Sequence, residues 1–363
     1  MSFRQIKDTQ EGQMDSQVLV LDFYQSTAEQ IINQLQSASI EWQREVGVLL
    51  QQFQEKTEME HFTSGTTGDR KRILHRKDQL IYSAQQTLRF FKLQPGARIL
   101  SPLSTDFIAG RMMLIRAVVG RLRIVMIPPT GNPFDYMKEK QNFDFSALVP
   151  YQLLQIKMNG EVRLRELGTI LIGGGVIAEE LIKVLVKHNV RSYQSFGMTE
   201  TLTHFAMKQL TPIVDPHYEC LPDYSISIDG DQRLTVHNEV VFDQPLVTSD
   251  CIALIDQKRF NWLGRLDNVI KSGGMKLSAE RIEEKIRSVY PKWPLFIISK
   301  QGDPEFGERP ILVHQKADAF PDNVLELAAA AVNKYEKPAA VKTVRVFQYT
   351  SSGKIKRKEL VFI

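Results

Sequence analysis

Residues 169–195 read TILIGGGVIAEELIKVLVKHNVRSYQS. A short strand-like run (Thr169–Ile172) meets three glycines, and Leu181, Ile182 and Leu185 then recur at helical spacing before a second strand-like run at 190–195. Strand, glycine turn, helix and returning strand make a crossover unit, which joins parallel neighbours in one sheet. Working outward, stretches 98–103 and 122–127 have the same strand-like texture and alternate with helical patterns. The expected class is therefore α/β with mostly parallel sheets flanked by helices.

Before residue 63 the chain reads as a Gln-rich, amphipathic helical preface. Ser26 or Thr27 offers an N-cap for a helix carrying Ile31, Ile32 and Leu35, and a second helix is expected over about 40–54 with Val46, Leu49, Leu50 and Phe53 inward. After about residue 223 the texture shifts to shorter strands and polar turns, as in Ser225-Ile226-Ser227-Ile228-Asp229-Gly230. Beyond Gly264 a compact α+β segment follows, with an alanine-rich helix expected over about 322–335. A division into 1–266 and 267–363 fits this pattern.

Composition narrows the functional classes. Hydrophobic residues make up 43% and charged residues 24% of the 363, which suits a packed core. A net charge of +4 is modest and does not point to nucleic acid. Two cysteines, Cys220 and Cys251, form no CxxC pair, so a disulfide scaffold or thiolate zinc site is not expected and a reducing, cytoplasmic setting fits. No secretory pattern follows Met1, and no apolar run reaches the ~20 residues that span a bilayer.

The most informative peptide is Thr63-Ser64-Gly65-Thr66-Thr67-Gly68-Asp69-Arg70-Lys71. Hydroxyls and backbone N–H groups exposed by glycine make an anion-binding nest, and Lys71 adds a point charge for phosphate oxygens. It is not a Walker A loop, because Asp69 follows Gly68 where that motif requires lysine. The string resembles the signature of the acyl-activating, AMP-binding superfamily (acyl-CoA synthetases, adenylation domains and luciferases). Arg70 replaces the proline common before the lysine.

Further strings resemble the superfamily's other motifs in its order. Gly173-Gly174-Gly175 is similar to the adenine-binding turn. Ser195-Phe196-Gly197-Met198-Thr199-Glu200 resembles YGxTE, with Phe196 in place of tyrosine; the resemblance implies that Phe196 stacks on adenine, Thr199 touches the α-phosphate and Glu200 holds Mg²⁺. Thr248-Ser249-Asp250 resembles TGD, whose carboxylate accepts from the ribose hydroxyls. Residues 264–274, GRLDNVIKSGG, resemble the hinge string, implying Arg265 at the ribose, Asp267 as pivot to a mobile C-terminal domain, and Gly273 and Gly274 facing coenzyme A. Residues 350–357, TSSGKIKR, resemble the C-terminal string, whose lysine (Lys354 here) meets the carboxylate and α-phosphate.

These groups suit adenylation. A carboxylate attacks the α-phosphorus of ATP and pyrophosphate leaves; the attacker is already an anion, so no general base is needed. Positioning and electrostatics then supply the catalysis. The resemblance implies ATP, Mg²⁺ and coenzyme A as the molecules used, and leaves a homodimer open.

The acid is less sharply marked. Only 62 residues precede the phosphate string, where relatives carry a much longer segment, and the histidine of their LPxFHxxG string is missing from residues 101–110. Arg111 is a candidate for binding a second carboxylate, with Arg116 following it; Thr201, Thr203 and His204 stand where relatives line the acyl pocket. The compact length, FIAGRMM and SFGMTETLTH are similar to the short bacterial 2-succinylbenzoate–CoA ligases of menaquinone biosynthesis. Other aryl- or acyl-CoA ligases, carrier-loading enzymes and a non-catalytic AMP-binding relative remain as alternatives. The last has no need of Lys354 or Glu200.

Overall fold

A computed structural model describes residues 17–62, 72–137, 139–175, 177–349 and 355–363. Its contacts divide the chain into two units, with the change from first to second at Asp223 and Tyr224. That is where the sequence texture shifts.

The first unit contains β1 (Leu19–Asp22), α1 (Ala28–Gln36), α2 (Glu41–Glu55), β2 (Glu58–Phe62), β3 (Arg72–Arg76), α3 (Lys77–Phe91), β4 (Arg98–Ser101) and α4 (Ile108–Gly120). It continues with β5 (Arg123–Met126), β6 (Phe145–Leu148), α5 (Pro150–Gly160), β7 (Thr169–Ile172), α6 (Glu179–Lys187), β8 (Ser192–Gly197), β9 (His204–Thr211) and β10 (Tyr218–Cys220). Strands β5-β4-β6-β7-β8 are parallel neighbours, as the crossover unit implies, while β1, β9 and β10 extend the sheet antiparallel. Leu100, Val125, Leu148, Ile170 and Ile172 of the sheet pack on Leu153 and Ile156 of α5 and Leu181 and Leu185 of α6.

The helical preface needs correction. Thr27 caps α1 by a reciprocal arrangement with Gln30, worth about 1 kcal/mol, and α2 buries the four expected apolar residues. Yet Leu19–Asp22 is an edge strand on β5, with Leu19 and Leu21 buried and Val20 exposed. Four residues with period two give too short a signal to stand out beside two amphipathic helices. Strands β2 and β3, which flank the phosphate string as an antiparallel pair, also went unrecognised.

The second unit contains β11 (Ser225–Ile228), β12 (Arg233–His237), β13 (Leu246–Leu254) and β14 (Arg259–Arg265), an antiparallel meander. A 3₁₀ turn at Leu266–Asn268 leads to β15 (Val269–Ser272), β16 (Met275–Ser278), α7 (Ala279–Val289), β17 (Phe296–Asp303), β18 (Gly307–Gln315), α8 (Val324–Ala330) and β19 (Val341–Val344). The five strands form one sheet, ordered β16-β15-β18-β17 with β19 parallel to β18. Ile270, Phe296, Ile298 and Leu312 pack on α7 and α8, while Ile297, Ile311 and Val313 meet Val344 and Phe347. Both faces are thus covered.

Helix α8 is shorter than expected. It stops at Ala330, and the chain restarts as a 3₁₀ turn at Lys334–Glu336. Asn333 is extended and its N–H donates to the Glu336 carboxylate at 3.1 Å, a carboxylate that Lys285 also holds at 2.6 Å. Alanine propensity extends a helix only until a capping pair and an ion pair favour a new start.

Candidate nucleotide and acyl site

Among the residues expected to bind the nucleotide, Thr63, Ser64, Gly65, Thr66, Thr67, Gly68 and Lys71 lie outside the described residues, as does Lys354.

In the first unit, Gly173, Gly174 and Gly175 follow β7 directly, and Gln194 on β8 donates to the Gly175 carbonyl at 3.0 Å. Phe196, on β8, sits edge-on to Phe205 and Tyr218, with ring centroids 5.7 and 5.2 Å away. Gly197 pairs with His204 across a bulge, and a Cβ there would lie 1.9 Å from the Thr203 carbonyl. Only glycine permits that approach.

The turn after it presents Thr199 and Glu200 on a 3₁₀ turn, Thr199–Thr201. Thr201 ties the turn: its hydroxyl accepts from Met198 N at 2.9 Å and donates to the Thr203 carbonyl at 2.5 Å. Leu202 is forced to a φ of 67°. Thr201 is therefore buried in the turn's own bonding. The half-buried Glu200 carboxylate has no ion-pair or hydrogen-bond partner among the described residues. An uncommitted carboxylate fits the hard, oxygen-seeking Mg²⁺ that the resemblance implies. No cluster of three metal-ligating side chains occurs among the described residues.

Four residues on, the chain enters a buried polar cluster. Arg116 of α4 is 2% exposed; its Nε donates to Thr87 Oγ1 at 3.0 Å and its Nη2 to Thr203 Oγ1 at 3.1 Å. Thr87 also meets His204 Nε2 at 3.0 Å, and Thr203 meets Ser83 Oγ at 3.2 Å. No carboxylate pairs with this guanidinium among the described residues. Burial pushes the Arg116 pKa down to about 9, which leaves it a cation at neutral pH. The same burial, with Arg116 beside it, holds His204 well below the usual imidazole range and so neutral.

The structure thus brings Thr203 and His204 together, but with Arg116 instead of Arg111. Arg111 donates to the backbone carbonyls of Thr105 at 2.7 Å and Glu60 at 2.6 Å. It lies close enough to His61 of β2 to affect its charge. His61 and His75 of β3 face each other with centroids 5.1 Å apart, at the base of the strands flanking the phosphate string. Burial is the main cause that lowers their pKa values, to about 3 and about 4. His75 also hydrogen-bonds the Glu200 backbone. Sequence reasoning singled out neither histidine; both sit in strands that it did not recognise.

In the second unit, Asp250 on β13 is 6% exposed. Arg265 of β14 reaches Asp250 Oδ2 at 3.5 Å and Ser249 Oγ at 2.7 Å, so the two expected ribose-side residues are neighbours. Trp262 donates to Asp250 Oδ1 at 2.9 Å, a partner the sequence did not suggest. Asp267 is exposed in the 3₁₀ turn between β14 and β15. Gly273 and Gly274, both at positive φ, form the two-residue turn joining β15 to β16.

A family model described as AMP-binding enzyme matches residues 3–238. Among curated relatives, a 2-succinylbenzoate–CoA ligase of Staphylococcus aureus (strain bovine RF122 / ET3-1) is 24% identical over 324 residues, 82% of this chain. That match covers 65% of the relative, so the chain spans slightly less than two thirds of its length. The corresponding ligase of strain Newman is 23% identical over 325 residues, with the same coverage of both chains. Among solved structures, an acyl-CoA synthetase (AMP-forming)/AMP-acid ligase II-like protein from Dyadobacter fermentans DSM 18053 has a TM-score of 0.63 at 28% identity, covering 94% of this chain and 98% of that one. An O-succinylbenzoate coenzyme A synthetase from Bacillus subtilis, in complex with ATP and magnesium ion, shares the fold: its TM-score is 0.73 at 19% identity, over 83% of this chain and 69% of that one. With a family match across more than half of its length and the α/β architecture, the chain belongs to the AMP-binding enzyme family.

Proposed function

We propose that this chain is an ATP-dependent acid–CoA ligase that works through an acyl-adenylate, with 2-succinylbenzoate, an aromatic dicarboxylate of menaquinone biosynthesis, as its acid. The observation that carries this reading is the segment Thr199–His204. One end bears the uncommitted Glu200 carboxylate; the other supplies the hydroxyl and imidazole around a buried guanidinium without an anion. A substrate with two carboxylates suits that pair of features: one attacks the α-phosphorus and the other answers Arg116. A fatty acid offers the guanidinium nothing.

In this reading the phosphate string and Lys71 hold the phosphates, Thr199 touches the α-phosphate, and Glu200 is the protein's ligand to Mg²⁺. That ion, when bound, neutralises phosphate charge. Phe196 and the Gly173–Gly175 turn take the adenine, and Asp250 and Arg265 the ribose. Lys354 approaches the acyl carboxylate during adenylation. Asp267 is the pivot between 1–266 and 267–363, with Gly273 and Gly274 at the pantetheine arm during thioester formation. The buried thiols of Cys220 and Cys251 suit a cytoplasmic location. No helix is long and apolar enough to cross a membrane among the described residues.

Pyrophosphate release across a panel of acids tests the proposal. The dicarboxylate should outperform benzoate and a medium-chain fatty acid, with coenzyme A consumed in step. A monoacid as the best substrate removes the specific acid. Pyrophosphate release without coenzyme A consumption points instead to a carrier-loading enzyme. Lys354→Ala should abolish ATP–pyrophosphate exchange yet spare thioester formation from supplied acyl-AMP; equal loss of both argues against separate roles for two domain orientations.

A further inference from the structure

Asp250 and Trp262 come together through an irregularity in the β13–β14 pairing. Asp250 pairs with Arg265 and Cys251 with Gly264, but Ile252 pairs with Trp262, so Leu263 is an extra residue on β14. In a regular ladder Trp262 would stand opposite Ala253, with its ring on the face away from Asp250. One inserted residue flips every side chain that follows to the other face. Here it turns the indole onto the Asp250 face, two residues along, within diagonal reach. Gly264, at a φ of 128°, supplies the backbone freedom; a Cβ there would lie 2.5 Å from Ser278 Oγ and 2.6 Å from a Glu280 carboxylate oxygen.

The resulting contact has one direction. An indole N–H donates and cannot accept, so Asp250 Oδ1 is the acceptor in this contact. Trp262 takes one lone pair of Oδ1, and Arg265 reaches Oδ2. Each oxygen keeps acceptor capacity, and two acceptors held at fixed spacing match the vicinal 2′- and 3′-hydroxyls of a ribose. The half-buried indole also shields one side of the carboxylate from water.

We infer that Trp262 is a positioning residue that orients Asp250 toward a ribose diol, so that the bulge at Leu263 is what lets the enzyme tell a ribonucleotide from a 3′-deoxynucleotide. The inference rests on the proposed role of Asp250 as ribose acceptor.

The test compares ATP with 3′-deoxy-ATP in pyrophosphate exchange by the full chain, for wild type, Trp262→Phe and Asp250→Asn. Trp262→Phe should raise the KM for ATP about tenfold with little change in kcat, and shrink the preference for ATP over 3′-deoxy-ATP by a similar factor, because an ionised acceptor has lost its fixed donor. An unchanged preference in Trp262→Phe, with a reduced one in Asp250→Asn, overturns the inference and leaves the ribose role standing. An unchanged preference in Asp250→Asn overturns both. If Trp262→Phe melts early, a Trp42→Phe/Trp293→Phe double variant leaves Trp262 as the sole tryptophan. Its emission should shift on binding ATP and shift less with 3′-deoxy-ATP; equal responses to the two nucleotides, or none, overturn the inference.

Discussion

The guanidinium of Arg116 and the imidazole of His61 are equally hidden from water, at 2% and 1% exposure, yet their surroundings differ in kind. Arg116 is met by two hydroxyls, one on α3 and one on the residue just before β9. Neither ring nitrogen of His61 has a partner among the described residues, and His75 Nδ1 also lacks one. The first cluster is solvated by its own fold and retains a charge. The second stays neutral because burial outweighs the one bond, from His75 to the Glu200 backbone, that favours a proton. Hydroxyls can support a buried cation that still lacks its counter-ion, whereas unpartnered nitrogens only cost stability. A cation kept at that expense points to binding; the histidines mark a weak spot in the β2–β3 pair.

The largest expected effect breaks the first half of this contrast. Arg116→Met should raise the KM for the dicarboxylate about a hundredfold, the scale of losing a buried charge-assisted pair. Thermal stability should hold or rise, because an uncompensated buried charge has gone. An unchanged KM takes Arg116 out of acid recognition, and a collapse in melting temperature makes it structural.

Acid sharpens the second half. Both histidines have folded pKa values, about 3 and about 4, below the ordinary 6.5. Above pH 6.5 neither state binds the proton and no penalty exists. As pH falls below 6.5 the unfolded chain takes up protons that the folded chain refuses. Stability should then decline by about 1.4 kcal/mol per pH unit per histidine, levelling once the folded values are passed. Urea midpoints between pH 7 and 4 measure this, and a slope unaltered by His61→Phe would place its cause elsewhere.

The smallest effect is at neutral pH. His61→Phe removes two unpaired nitrogens while keeping a ring, and should stabilise by about 1–2 kcal/mol. A lower melting temperature would mean that the imidazole has a partner after all.

How much of this was legible in the sequence follows from the kind of signal each part leaves. The crossover from β7 to β8 shows because apolar period, glycine turn and returning strand agree. Helix α2 shows because its inward residues recur at helical spacing. The segment 199–204 was found, and Arg111 and Arg116 were both named, but not which of the two joins it. Helix α4 buries residues on every side, Met112 to Ala117 without a break, so periodicity does not say which arginine faces inward. The polar side of α3 (Gln79, Ser83, Gln86, Thr87) reads as solvent-facing until it is seen buried against α4 and β9. The Trp262–Asp250 contact depends on a one-residue bulge, which leaves the strand pattern of β14 unmarked. Each missed feature lies in tertiary register, not in local propensity.

The single hydroxyl of Thr87 has one further consequence. It has one proton, and the helix carbonyl of Ser83 stands 3.2 Å away to receive it. Its lone pairs then face two neighbours, Arg116 Nε and His204 Nε2, each at 3.0 Å. Every group is satisfied when His204 carries its hydrogen on Nε2 and leaves Nδ1 bare. One threonine thereby selects a tautomer, and with it the ring nitrogen on which His204 can still receive a hydrogen bond.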